Sequence, residues 1–178
     1  MAAPEAWLSG PVAGVAPELQ PAAHALLQAA AEIRTAAAPL TTSELWVSPG
    51  GAASAGYHLR HVAGSLDRLL TYARGQSLDG PQRAALVTEA LPGDPPADAA
   101  TLIAGVERAV GHALEVLRRT PVETLGEART VGRGKLPSTV LGLLFHAAEH
   151  AQRHAGQLVT TAKIVRGLGL GSAGRGEG

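Results

Sequence analysis

Leu19, Ala22, Leu26, Ala30 and Ile33 recur at steps of three and four, the spacing that lays side chains along one face of an α-helix. The same signature returns further on. Tyr57, Val62, Leu66, Leu69, Leu70 and Ala73 form a second stripe, and Leu102, Val106, Val110, Leu114 and Leu117 a third. A last helical segment runs to about Arg166. No strand-like alternation holds over several residues. Four helices of roughly 18–28 residues in one domain predict an all-α chain, an antiparallel four-helix bundle.

The breaks between stripes follow known chemistry. Pro39 closes the first helix, Ser54 is a candidate cap for the second, and Gly75 is its C-terminal stop. Residues 77–96 hold a short helix near Pro81 to Ala90, ahead of the break at LPGDPP. Asp98 is the expected N-cap of the third helix, which ends at Arg118 and Arg119, where cations suit the helix dipole. Residues 120–136 read as a connection, and the last helix opens at Pro137 or Ser138. The expected organisation is an irregular arm at 1–18, the helical domain at 19–166 and a flexible Gly-rich tail at 167–178.

Apolar residues make up 46% of the chain but aromatics only 3%, so the core must be assembled from Ala, Leu and Val. Fifteen basic and fifteen acidic residues cancel, which argues against a nucleic-acid partner. Cysteine is absent, excluding disulfides, zinc-thiolate sites and a cysteine nucleophile. No apolar run approaches the ~20 residues of a membrane span. The opening MAAPEAWLSGPVAG has neither a basic n-region nor an apolar h-region, so a cytoplasmic location is expected.

Five of the seven histidines fall in two short segments, YHLRH (His58, His61) and FHAAEHAQRHAGQL (His146, His150, His154). Residues four apart share a helix face about 6 Å apart along the axis, close enough for two imidazoles to bind one ion. His146 with His150, or His150 with His154, meets that rule. All three cannot serve one ion, because the outer two lie about 12 Å apart along the axis. Catalytic sites take three protein ligands, and the third donor would come from His58 or His61 on a facing helix. Spacing alone leaves the choice open.

Other residues near these segments have weaker claims. Gln157 falls near the face of His154, whereas Glu149 points about 100° away from His150 around the helix. Asp67 lies off the histidine stripe and is expected to pair with Arg68 or another surface cation. Trp46, in the first loop, either caps the core or lines a pocket. Arg60 and Arg153 flank the histidines and could meet an anionic group such as a carboxylate, although surface solvation explains them better. VGRGKLPS fails as a phosphate loop, since Arg129 stands where the first Gly belongs and Leu136 follows the Lys.

HLRHVAGSLDRLLTYARG, followed some ninety residues later by EHAQRHAGQL, resembles the DinB-like (YfiT-like) helical bundle proteins. The family's HxxxHxGQ element is matched by His150, His154, Gly156 and Gln157, and its early histidine by His61. The resemblance implies an up-down-down-up four-helix bundle. It also implies a divalent metal, nickel or zinc, held by three histidines with an open position and activating a thiol or water. Relatives include metal-dependent thiol transferases, so a low-molecular-weight thiol cosubstrate and a small-molecule substrate are expected. His58, His146, Gln157, Trp46 and Arg153 would then stand behind the ligands or line the pocket. The competing expectation is a non-catalytic, stress-associated metal-binding bundle or dimerisation module, motivated by the lack of a glutamate on the ligand face. Bundles of this kind often pair along an apolar helix face, so a homodimer is the expected assembly.

Overall fold

A computed structural model describes residues 4–171 of the chain. Within it lie six helices: α1 (Gln20–Ala37), α2 (Thr42–Leu45), α3 (Ala55–Ala73), α4 (Gly80–Thr88), α5 (Ala99–Arg119) and α6 (Val140–Gly167). Residues 1–3 of the expected arm and 172–178 of the expected tail lie outside the described residues. Among the described residues, no helix is long and apolar enough to cross a membrane.

Local chemistry sets the boundaries. Thr41, Ser54, Asp79, Asp98 and Thr139 each accept, through a side-chain oxygen, the backbone N–H three residues on, satisfying a donor that the helix itself cannot. Gly75 adopts φ +73° and ends α3; its N–H donates to the Tyr72 carbonyl while that of Gln76 donates to Thr71. Gly169, at φ +64°, closes α6 in the same way, so the Gly-rich segment expected to be a tail begins as a helix cap.

One sequence expectation is corrected. Residues 128–139 are not an irregular connection but an antiparallel hairpin of β1 (Ala128–Val131) and β2 (Leu136–Thr139), with Val131 opposite Leu136. VGRGK supplies its turn, with Gly132 at φ +68° and Lys135 at φ +47°. Pro137 and Ser138 therefore lie in β2, and α6 starts at Val140 behind the Thr139 cap. Strands of four residues are too short to display alternation. Arg129 ties the hairpin to the end of α3 by donating to the Ala73 carbonyl at 2.8 Å.

The four long helices close a ring of contacts: α1 packs on α5 and α6, and α3 packs on the same two. The largest fully buried side chains are all Leu, Ile or Val, including Leu59, Val62, Leu66 and Leu70 on α3. The inner faces of α6 are lined by Ala147, Ala148, Ala151 and Ala155, whose small side chains let its neighbours come close. α4 is different. It lies on the surface against α3 and buries no residue within its own length.

Leu66→Ala should therefore cost about 2–5 kcal/mol, lowering the melting temperature by roughly 5–20 °C for a chain of this size. Val87→Ala, at an α4 position 80% exposed, should change stability by less than about 0.5 kcal/mol. Thermal unfolding followed by circular dichroism separates the two.

Candidate metal centre

Because Ser54 starts α3 immediately ahead of Tyr57, His58 and His61 fall in its first two turns. They face the middle of α6. His61 Nε2 lies 2.9 Å from His150 Nε2, and His58 Nδ1 lies 3.0 Å from His154 Nδ1. Residue 58 thus meets 154 while 61 meets 150, so the two helices pass in opposite senses here. The His154 ring centroid is 4.4 Å from that of His61 and 4.6 Å from that of His150. One nitrogen from each of His61, His150 and His154 lies within 4.8 Å of the other two.

That geometry suits a metal ion. Nitrogens bound to one ion at about 2.0–2.1 Å sit roughly 2.9–3.4 Å from each other for bond angles near 90–110°. The His61–His150 separation already falls in this range. Burial pushes the His58 and His150 imidazoles down to about 4, and the charge of a protonated His61 would push them in the same direction. Burial, followed by His61 and His150, takes His154 to about 3. These three rings are neutral at pH 7, the form in which imidazole ligates. His150 Nδ1 is buried without a partner.

On the far side of His61 stands a carboxylate. Glu89, the C-cap of α4 and only 5% exposed, places Oε2 2.7 Å from His61 Nδ1 and Oε1 2.5 Å from Arg68 Nη1. Burial opposes its ionisation, but the hydrogen bonds from His61 and Arg68 outweigh burial and hold its pKa below the usual glutamate value. Gly64 makes the room, since a Cβ there would collide with both the Glu89 carboxylate and the Arg68 guanidinium. Arg60 secures the chain around Glu89 by donating to the carbonyls of Thr88, Leu91 and Pro92. Tyr57 stacks on His61 with ring centroids 5.2 Å apart and planes 17° from parallel.

The remaining sequence candidates separate clearly. His58 is buried directly behind His154. His146 is exposed one turn beyond His150, its Nδ1 2.7 Å from Glu149. Arg153 is exposed and donates to both oxygens of Glu149. With Gln157 it lines a cavity of about 760 Å³ whose wall includes Tyr57, His58 and His154. Trp46 packs on the start of α3. Its indole N–H donates to the Ala97 carbonyl at 3.0 Å, its ring lies over Gly56, and the Arg60 guanidinium stacks on it at 4.9 Å. Arg60 thus ties the end of α4 and the segment after it to α3. Asp67 pairs with Gln82 at 2.8 Å, leaving Arg68 to Glu89. Glu89 itself was not found from the sequence. α4 has no stripe to mark an inward position, and the chain separates Glu89 from His61 by 28 residues.

Three imidazoles converging between two helices, with a carboxylate behind one of them, could hold a metal ion. A family model of the DinB superfamily matches residues 25–158, three-quarters of the chain and all three histidines. The chain belongs to the DinB superfamily. Among curated proteins, no sequence matches it.

Since His58, His150 and His154 bind protons less readily folded than at their ordinary value of 6.5, the unfolded chain holds more protons below that pH. Their contribution to stability is complete above about pH 6.5 and is lost as pH falls toward 4. The metal-free chain should melt at progressively lower temperature from pH 7 to pH 4, and a flat profile would contradict neutral rings.

Proposed function

We propose that the chain is a metal-dependent enzyme in which His61, His150 and His154 hold one divalent cation, nickel or zinc, beside a small-molecule substrate. The observation that supports this reading most directly is the convergence of three ring nitrogens, from two helices, within 4.8 Å. Membership of the DinB superfamily supports it independently. Bound there, the cation supplies Lewis acidity that makes a thiol or water acidic enough to lose its proton near neutral pH. Transfer to or from the sulfur of a low-molecular-weight thiol, or hydrolysis, is the reaction class that follows.

The chain's own residues prepare the site. His58 engages His154 through Nδ1 and so restrains that ring. Tyr57 lies flat against His61 and limits its rotation. The cavity beside His58 and His154 receives the substrate, with Ala53 and Ile164 as apolar wall and Arg153 and Gln157 as polar rim. Burial of the rings keeps bulk water from competing for the nitrogens.

The long helices fit an up-down-down-up bundle. Glu32 of α1 accepts from Gln152 of α6, and further along both helices Ala36 and Pro39 share a cavity with Lys163 and Arg166, as parallel neighbours would. Arg34 of α1 meets Glu107 of α5, whereas Arg118 at the end of α5 reaches Ala13, ahead of α1. That pair runs antiparallel.

Elemental analysis after loading and desalting tests the reading: wild type should retain stoichiometric nickel or zinc, and the variant with His61, His150 and His154 all changed to Ala should retain none. Equal metal in both would end the proposal. Retained metal whose chelation lowers the melting temperature, with no turnover in thiol-transfer or hydrolysis assays, would replace the enzyme with a non-catalytic metal-binding bundle.

A further inference from the structure

The sequence and the family resemblance account for the histidines but say nothing of the buried carboxylate behind them. A buried ion pair is weak grounds for stability, because desolvating two charges opposes much of their attraction. If Glu89 served only to pin α4, an apolar side chain would do so at lower cost. Instead the fold clears space for it at Gly64, supplies Arg68 as a counter-ion and ties the backbone on either side of it with Arg60. Arg68 can only donate, so Glu89 is an acceptor on that side, and its other oxygen faces a ring nitrogen at 2.7 Å.

We infer that Glu89 is the positioning residue of this site: its carboxylate accepts the proton carried on His61 Nδ1, which leaves the Nε2 lone pair aimed at the point shared with His150 and His154. The inference rests on the proposed metal site for its consequence, but the proton's location on His61 can be measured without any metal. A carboxylate on the outer nitrogen of a ligand histidine fixes the tautomer, restrains the ring and raises its basicity. His150, whose Nδ1 has no partner, lacks such support, and His154 has only a neutral imidazole behind it. His61 is therefore the ring whose orientation is set most firmly, by Tyr57 within α3 and by a carboxylate from outside the α3–α6 pair.

Two measurements decide the matter. Long-range ¹⁵N–¹H correlation spectra of metal-free wild type at pH 8 should show His61 protonated on Nδ1. Cobalt(II) titrations should give about 10–100-fold weaker binding for Glu89→Gln than for wild type, with a shifted visible absorption spectrum. Glu89→Gln strands the Arg68 charge and could unfold the chain, so the double variant E89Q/R68M, which removes both charges, should show the same loss. An Nε2 proton on His61, or wild-type cobalt affinity in either folded variant, would overturn the inference. Should wild type bind no cobalt, nickel or zinc, the metal reading fails while the His61 tautomer still decides the part played by Glu89.

Discussion

The α3–α6 seam gathers four imidazoles, of which His58, His150 and His154 are held neutral by burial. His58, His61, His150 and His154 stand ring to ring, with centroids between 4.4 and 5.2 Å apart in the contacting pairs. Two like charges about 4 Å apart repel by roughly 4 kcal/mol at an effective dielectric near 20. Set against a net stability of about 5–15 kcal/mol for a domain, a seam of several imidazolium ions would not stay closed. Packing supplies the opposing force: Leu59 and Val62 on α3 and Ala151, Ala155 and Leu158 on α6 are fully buried on either side of the rings. Apolar burial thus creates the environment that keeps protons off the rings, and the same lone pairs become available to a different cation.

Charge near the cluster follows an order that favours that exchange. Arg68, Glu89 and His61 form a chain of alternating character leading inward from α3's second half to the seam. The Glu89 carboxylate, hydrogen-bonded to Nδ1 across the ring from His61 Nε2, favours positive charge at the shared point, while Arg68 keeps Glu89 from being a lone buried anion. Several protons spread over neighbouring rings would repel one another. One divalent ion, if bound, would satisfy the three lone pairs together and meet the field of Glu89 through His61.

Periodicity was enough to read the long helices, and capping chemistry placed most of their ends, because stripe spacing and N-cap preferences are local. Ser54, Gly75 and Asp98 act as expected. Spacing also put His150 and His154 on one face, but it left His58 and His61 unresolved. One helical turn separates them, and the difference is depth: His61 reaches the shared point while His58 packs behind His154. The DinB resemblance chose His61, and a nitrogen of His61 lies within 4.8 Å of one from each of His150 and His154. The hairpin escaped notice because four-residue strands carry no period, and Pro137 and Ser138 look like a helix start when taken alone. Glu89 escaped for a different reason. Its burial comes from partners 21 and 28 residues away, and nothing in ALVTEALPGDPP marks one glutamate as inward.

The two halves of the site rest on unequal foundations. The histidine seam belongs to the core, whereas Glu89 arrives on α4, which exposes Leu86, Val87 and nearby Leu91 and buries nothing along its own length. Polar contacts hold that segment: Gln82 to Asp67 and Thr71, Arg60 to three carbonyls, and Glu89 to His61 and Arg68. Segments with few buried apolar contacts open at lower free energy than the core around them. Separation of α4 would therefore free His61 from its carboxylate while leaving the three imidazoles gathered by α3 and α6. The ligand cluster is built to persist with the fold, and the restraint on its first ring is built to depend on a surface helix.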